Sequence, residues 1–253
     1  MNAIPNVPDG TQIILRTIVG STIHGTAVAN TDDRDEMAIG IEPPEFVIGL
    51  RTWETTVHRT QPDGVRSGPG DLDLVVHSLR KFARLAVRCN PTILLPLFVP
   101  EAGILHANDI GRSLIKNRSM FLSRNCGKAF LGYLIAQKER LVGDRGQMRV
   151  KRQELIDAYG LDTKYAGHVI RLGLQGLELM TTGHLTLPMR ERERETVVAI
   201  RTGKWSLQEI LQLAGELERD LRDSLDSTPL PPEPQADLID TWLKLAYWES
   251  WEI

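Results

Sequence analysis

The sequence has little cysteine and no long hydrophobic run. Its two cysteines, Cys89 and Cys126, are too few for a disulfide framework or a four-ligand zinc site. The most apolar stretch, residues 93–99, contains a proline and is far shorter than the roughly 20 residues that span a bilayer. The N-terminal residues lack a basic stretch followed by an apolar one, the pattern of a secretory signal. These absences favour a protein without a membrane partner, and we expect it to be cytoplasmic.

Aromatic residues are also few, at 6%, but a hydrophobic fraction of 42% and a charged fraction of 25% are those of ordinary globular proteins. The net charge of −3 is unevenly distributed. Residues 112–152 carry eleven Lys or Arg against two acids, and residues 216–253 carry ten acids against three bases. The basic segment favours an anionic partner such as a nucleic-acid backbone. The alternative is a basic helix surface that only meets solvent.

The first part of the chain has the pattern of strands and turns. Residues 11–19 form an apolar, β-branched run typical of a buried strand, and residues 53–60 alternate with a period of two. Residues 72–78 predict another strand. Residues 37–50 hold two apolar runs joined by Glu-Pro-Pro-Glu, which predict a hairpin-like pair. Residues 61–70, rich in glycine and proline, predict a flexible loop.

The second part of the chain has helical periodicity. Helices are predicted over residues 78–90, 164–180 and 206–225, the last beginning with the Ser206–Glu209 capping box. A terminal helix over residues 242–251 is expected to dock through its tryptophans.

These patterns predict an α+β protein with two domains. The first domain, which combines strands and helices, is expected over residues 1–120. An all-helical C-terminal domain with an acidic tail is expected over residues 121–253.

A Gly-Ser pair and a cluster of acids follow the first predicted strand. Gly20 and Ser21 stand where that strand ends and a short helix is expected, a place where backbone amides and a hydroxyl meet phosphate oxygens. Asp33 and Asp35 are two positions apart, so on an extended segment their carboxylates lie on one face. Paired carboxylates beside a phosphate cradle suit Mg²⁺.

A third carboxylate would complete a two-metal site. Asp71 and Asp73 both precede an apolar strand, and the sequence leaves open which of them it is. Each feature alone is common in solvated turns. Together they indicate displacement at the α-phosphorus of a nucleoside triphosphate, with pyrophosphate as the leaving group.

The stretch "GSTIHGT…DDRD" resembles the signature of the polymerase-β-type nucleotidyltransferase superfamily. More closely, the chain is similar to a branch associated with RNA repair and often encoded near RNA ligases. Residues 79–98 look like the helix that follows the third acid in that branch, and residues 164–193 look like its C-terminal motif.

The resemblance implies that residues 1–120 form a polymerase-β-type catalytic domain, a small mixed sheet with flanking helices. Such a domain uses Mg²⁺ or Mn²⁺ and a nucleoside triphosphate such as ATP. Asp33, Asp35 and Asp73 match its catalytic, metal-binding acids, and Gly20 and Ser21 match its phosphate-contacting pair. The implied acceptor is an RNA 3′ end, in repair or tailing, with a functional link to an RNA ligase.

Further nucleotide-binding residues are expected on the 164–180 helix. Lys164, His168, Arg171 and Gln175 are spaced by four, three and four, which predicts one polar stripe. If the stripe faces the cleft, its first three residues bind triphosphate oxygens or the acceptor strand; the alternative is a solvated face.

Two other functions stay open. The same signature serves transfer of a nucleotide to a protein or a small molecule. A non-catalytic RNA-binding module that retains the fold is suggested by Asp32 and Ala38, which stand where family members usually have serine and glycine.

Overall fold

The computed structural model describes residues 4–28, 32–143 and 152–251, with a strand-rich first part and a helical second part. The strands are β1 (Gln12–Ile18), β2 (Arg34–Ile41), β3 (Thr55–Arg59), β4 (Leu72–Ser78) and β5 (Ile104–Ala107). The α-helices are α1 (Gly20–His24), α2 (Pro44–Val47), α3 (Leu79–Val87), α4 (Pro91–Leu94), α5 (Asp109–Lys116), α6 (Arg124–Val142), α7 (Gln153–Tyr159), α8 (Thr163–Thr182), α9 (Glu191–Arg201), α10 (Leu207–Ser227) and α11 (Ala236–Trp251). In these described parts, no helix has both the length and the apolarity to cross a membrane.

The strands form one mixed sheet in the order β3-β4-β2-β1-β5. The central pair, β2 and β4, is parallel, whereas the other neighbouring strands are antiparallel. β1, β3 and β4 confirm the strands predicted over residues 11–19, 53–60 and 72–78. The fold is therefore α+β, with the small mixed sheet that the resemblance implied.

The hairpin predicted over residues 37–50 is wrong. β2 ends at Ile41, and after Pro43 the chain forms the short helix α2 instead of a second strand. Both edges of β2 are already paired, one with β1 and the other with β4, so no edge is left for a hairpin partner. The short edge strand β5 was not predicted.

The helix predictions hold where capping side chains mark the start. Ser78 Oγ accepts a hydrogen bond from the Lys81 backbone amide at the start of α3. At α10 the Ser206 and Glu209 side chains each bond the other residue's backbone amide, which confirms the predicted capping box. These contacts satisfy amides that the first turn of a helix leaves without partners.

The chain divides into two compact units. The first comprises the described residues of Met1–Arg88, Thr92–Phe121 and Pro234–Ile253, and the second those of Cys89–Pro91 and Leu122–Glu233. The first unit contains the whole sheet. It also contains α11, which differs from the expected grouping of all residues 121–253 in one helical domain.

The terminal helix α11 belongs to the first unit because its polar aromatic atoms bond there. Tyr247 donates to the Glu42 carboxylate at 2.9 Å, and Trp251 donates to the Glu42 carbonyl at 3.0 Å. Trp242 donates to the Ser113 hydroxyl at 3.0 Å. The predicted docking through tryptophans is thus seen for Trp242 and Trp251, whereas Trp248 is 60% exposed.

The second unit packs α6, α8, α9 and α10 around an apolar core that includes Val169, Ile200 and Ala214. Cys89 and Cys126, both fully buried, form a disulfide within this unit. The two cysteines therefore pair with each other, although two are too few for a disulfide framework of the kind found in small secreted domains.

Candidate metal and nucleotide site

The parallel pairing of β2 with β4 brings the predicted acids together. Asp35 on β2 lies directly opposite Asp73 on β4. Asp33 precedes β2, two positions before Asp35, so the backbone directs both carboxylates to the same side. One ligand oxygen from each of Asp33, Asp35 and Asp73 lies within 4.8 Å of the others, and all three residues are half-buried.

Glu36 shows why the neighbouring acid takes no part in this group. On a strand, adjacent side chains point to opposite faces, so Glu36 points away from the side that carries Asp35. It is 2% exposed, and its carboxylate forms ion pairs with Arg16 and Arg34, each at 2.6 Å. The charge of Glu36 is therefore compensated on the other face of the sheet.

Gly20 lies directly against Asp35. The Val19 amide donates to the Asp35 carbonyl at 2.9 Å, which ties the end of β1 to β2. Gly20 has a φ of +65°, and a Cβ built on it would lie 2.0 Å from Asp35 Oδ2. Both the backbone conformation and the space therefore require glycine.

Ser21 is the second residue of α1, the helix that begins at Gly20. The predicted change from a strand to a short helix at the Gly-Ser pair is therefore present, and this helix is five residues long. The Ser21 carbonyl accepts a hydrogen bond from the Thr26 amide at 3.0 Å, which closes the turn after α1. Ser21 is half-buried, next in the chain to the glycine that lies against Asp35.

Asp71 and Asp73, which the sequence could not separate, have different surroundings. Asp71 accepts from the Gly68 amide at 2.9 Å and from the Thr60 hydroxyl at 3.2 Å, so it closes the turn before β4. Asp73 lies beside Asp35 in the acidic group. Of the two, Asp73 is therefore the one that the strand register brings to Asp33 and Asp35.

Two contacts to Asp73 were not predicted. Gln61 Nε2 donates to Asp73 Oδ1 at 3.1 Å, and Ser67 Oγ donates to Asp73 Oδ2 at 2.8 Å. Arg59 Nε lies 3.6 Å from Oδ1 of the same carboxylate. Gln61 and Ser67 belong to the segment that the sequence marked only as a flexible loop, and its composition carries no sign of these bonds.

Lys164, His168 and Arg171 all lie on α8, in the second unit. An Arg171 guanidinium nitrogen contacts His168 Nδ1 at 2.7 Å, and another donates to Gln175 Oε1 at 2.8 Å. Because a guanidinium only donates, Nδ1 is the acceptor and the imidazole is neutral with its proton on Nε2. Gln175 is buried, so the stripe is not a wholly solvated face.

The charges around α8 agree with that assignment. Desolvation by burial is the main cause that lowers the pKa of His168 to about 3, and the positive charges of Arg171 and Arg152 contribute to the lowering. Desolvation by burial is also the main cause that lowers the pKa of Arg171 to about 10, and the positive charge of Arg201 adds to it. At neutral pH, Arg171 is therefore charged and His168 is a neutral hydrogen-bond donor through Nε2.

The acidic group fits a divalent ion such as Mg²⁺ or Mn²⁺. Its three donors are carboxylate oxygens, the ligand type these hard cations prefer, and they converge within 4.8 Å. Gly20 brings the backbone at the start of α1 directly against the Asp35 carboxylate.

Comparison with known proteins identifies a family and a similar solved structure. Among solved structures, a nucleotidyltransferase-like protein from Exiguobacterium sibiricum 255-15 matches with 15% identity and a TM-score of 0.32, covering 95% of this chain and 72% of that one. No curated protein matches. Residues 5–244 match the model of the RNA repair pathway DNA polymerase beta family. The chain belongs to that family, whose members are polymerase-β-type nucleotidyltransferases.

Proposed function

We propose that the protein transfers a nucleoside monophosphate from a nucleoside triphosphate to an acceptor hydroxyl, most favourably at an RNA 3′ end. The observation that carries the proposal is the convergence of Asp33, Asp35 and Asp73, which the register of β2 and β4 produces. Membership of a polymerase-β-type family supports the same reaction class.

In this proposal Asp33 and Asp35 hold two divalent ions, Mg²⁺ or Mn²⁺, and Asp73 completes the site. The bound ions supply charge stabilisation for the attacking and leaving oxygens. The acceptor oxygen forms a bond to the α-phosphorus while the bond to the bridging oxygen breaks, and pyrophosphate leaves. Asp73 helps to take the proton from the attacking hydroxyl.

The phosphates are proposed to lie beside Gly20 and Ser21. Gly20, whose missing side chain leaves room for the Asp35 carboxylate, would offer its backbone to the phosphates, and the Ser21 hydroxyl would donate to the β- or γ-phosphate oxygens. In the second unit, Lys164, His168 and Arg171 are proposed to bind phosphate oxygens of the triphosphate or of the acceptor strand. Arg171 would supply the charge there, and His168 a neutral N–H.

The preference for RNA rests on two features. The family is named for an RNA repair pathway, and the basic segment 112–152 suits a phosphate backbone. Part of that segment, residues 144–151, lies outside the described residues. A functional link to an RNA ligase and ATP as the donor complete the proposal. The cytoplasmic location expected from the sequence stands against the Cys89–Cys126 disulfide, because disulfides are rare in a reducing cytoplasm.

The test is incorporation of each α-labelled nucleoside triphosphate, with Mg²⁺ or Mn²⁺, into pooled RNA, DNA and protein. The Asp33→Ala variant runs beside the wild type. We expect label on RNA with the wild type alone. Label on protein would keep the chemistry and overturn the acceptor.

A result without label would favour the non-catalytic RNA-binding module. In that case Asp33→Ala should bind RNA as tightly as the wild type. Neutralising Lys and Arg between Arg112 and Arg152 should weaken the binding and its dependence on salt.

A further inference from the structure

Two side chains of the loop between β3 and β4 contact one member of the acidic group, Asp73. Most of residues 61–70 are exposed, but Gln61 and Ser67 are half-buried. Both direct their side chains at the same carboxylate, with Gln61 on Asp73 Oδ1 and Ser67 on Oδ2. Gln61 Nε2 also contacts Ser67 Oγ, so the two donors are joined to each other.

These contacts are not needed to close the loop. Asp71 accepts from the Gly68 amide and from the Thr60 hydroxyl, and Thr60 Oγ1 accepts from the Leu72 amide at 2.9 Å. Thr60 and Asp71 therefore hold the base of the loop through bonds that involve neither the Gln61 nor the Ser67 side chain.

The Gln61 side-chain amide is oriented to donate hydrogen bonds, and this orientation leaves its oxygen without a donor among the described residues. Its Oε1 is buried and accepts no hydrogen bond from the part of the chain that the structure describes. A buried acceptor without a donor is unfavourable. The amide is nevertheless turned so that its N–H groups reach Asp73 and Ser67.

Donors on both oxygens have a defined effect on a carboxylate. They fix its rotation, and each oxygen keeps a second lone pair for a cation. They also offset the repulsion from Asp35, which lies opposite Asp73 across the strand pair. Hydrogen bonds of this kind to a ligating side chain orient it and tune the bound metal.

We propose that Gln61 and Ser67 are positioning residues that hold the Asp73 carboxylate in its metal-binding orientation. The inference rests on the proposed function, because Asp73 is taken as a metal ligand. It assigns the β3–β4 loop a role in the reaction without placing either residue against substrate.

The test is a titration with Mn²⁺ in which the concentration of the free ion is monitored by its electron paramagnetic resonance signal. It compares the wild-type chain with Ser67→Ala, Gln61→Ala and Ser67→Thr. Val65→Ala is the matched control, since Val65 is in the same loop, 56% exposed, and directs no donor at Asp73. Thermal unfolding of each variant verifies that it is folded.

We expect Ser67→Ala and Gln61→Ala each to weaken Mn²⁺ binding by about 10–100-fold. Ser67→Thr, which keeps the hydroxyl, and Val65→Ala should bind as the wild type does. In turnover at saturating metal, kcat should fall in the two alanine variants while KM for the nucleotide is unchanged, because the proposal gives neither residue a contact with the nucleotide.

Unchanged or tighter Mn²⁺ binding in both alanine variants would overturn the inference, as would a wild type that binds no Mn²⁺. The titration requires no turnover. A wild type that transfers no nucleotide but shows the expected order of Mn²⁺ affinities would therefore overturn the proposed function and leave the positioning role standing.

Discussion

Replacing Gly20 by alanine places a methyl group where Asp35 now lies. The new Cβ would be 2.0 Å from Asp35 Oδ2, whereas an ordinary contact begins at 3.4 Å, so the oxygen must retreat by about 1.4 Å. Alanine must also adopt the left-handed φ of +65°. The substitution therefore combines backbone strain with a direct clash against a proposed metal ligand.

The two costs can be separated with Gly160→Ala. Gly160 has a φ of +77°, and a Cβ built there meets nothing within 4 Å. Left-handed alanine costs about 1–2 kcal/mol in either place, and overpacking adds about 1–3 kcal/mol at Gly20 alone. In urea unfolding, the unfolding free energy of Gly20→Ala should therefore be lower than that of Gly160→Ala by the overpacking cost of about 1–3 kcal/mol.

The functional consequence is larger than the loss of stability. A misplacement of about 1 Å at a reacting centre costs on the order of 100-fold in rate. Gly20→Ala should therefore lose about 100-fold or more in nucleotide transfer, and its Mn²⁺ affinity should fall as well. Gly160→Ala should retain both. If folded Gly20→Ala keeps the turnover and the Mn²⁺ affinity of the wild type, Asp35 does not pack closely against Gly20 in the working site, and the reasoning is refuted.

Two further predictions concern stability. Desolvation raises the pKa of Glu42, despite the hydrogen bond from Tyr247. The folded state then binds more protons than the unfolded state above the ordinary pKa of 4.5, so the unfolding free energy should fall as pH rises from there through the raised pKa. Glu42→Gln should flatten this dependence in urea titrations across pH, and parallel curves would contradict it. Reduction of the Cys89–Cys126 disulfide, which spans 37 residues, should lower the unfolding free energy by about 4 kcal/mol in the loop-entropy relation; equal denaturation midpoints with and without reductant would contradict this.

The acidic site was largely predictable because its spacing is local. Asp33 and Asp35 share one side of an extended segment by strand geometry alone. The choice between Asp71 and Asp73 depends on the register of β2 against β4, which joins residues 38 positions apart along the chain. Sequence alone cannot supply that register.

The features that sequence missed depend on distant partners. The second apolar run of residues 37–50 looks like a strand, but β1 and β4 already occupy both edges of β2. α11 joins the first unit through Glu42, which is 205 positions from Tyr247. The side-chain donors of Gln61 and Ser67 lie in a segment whose composition indicates only a loop.

Whether the three acids carry nucleotide transfer is decided by pyrophosphate release with RNA, a nucleoside triphosphate and Mg²⁺. The assay compares the wild type with Asp33→Asn, Asp35→Asn and Asp73→Asn, which keep the side-chain shape and remove the charge. Asp63→Asn, at an exposed loop position, is the control. We expect a loss of at least about 100-fold in each of the three site variants, more than the loss typical of residues that only support a ligand, and wild-type release in the control. Release that is unchanged in the three site variants would contradict a catalytic role for the acidic group.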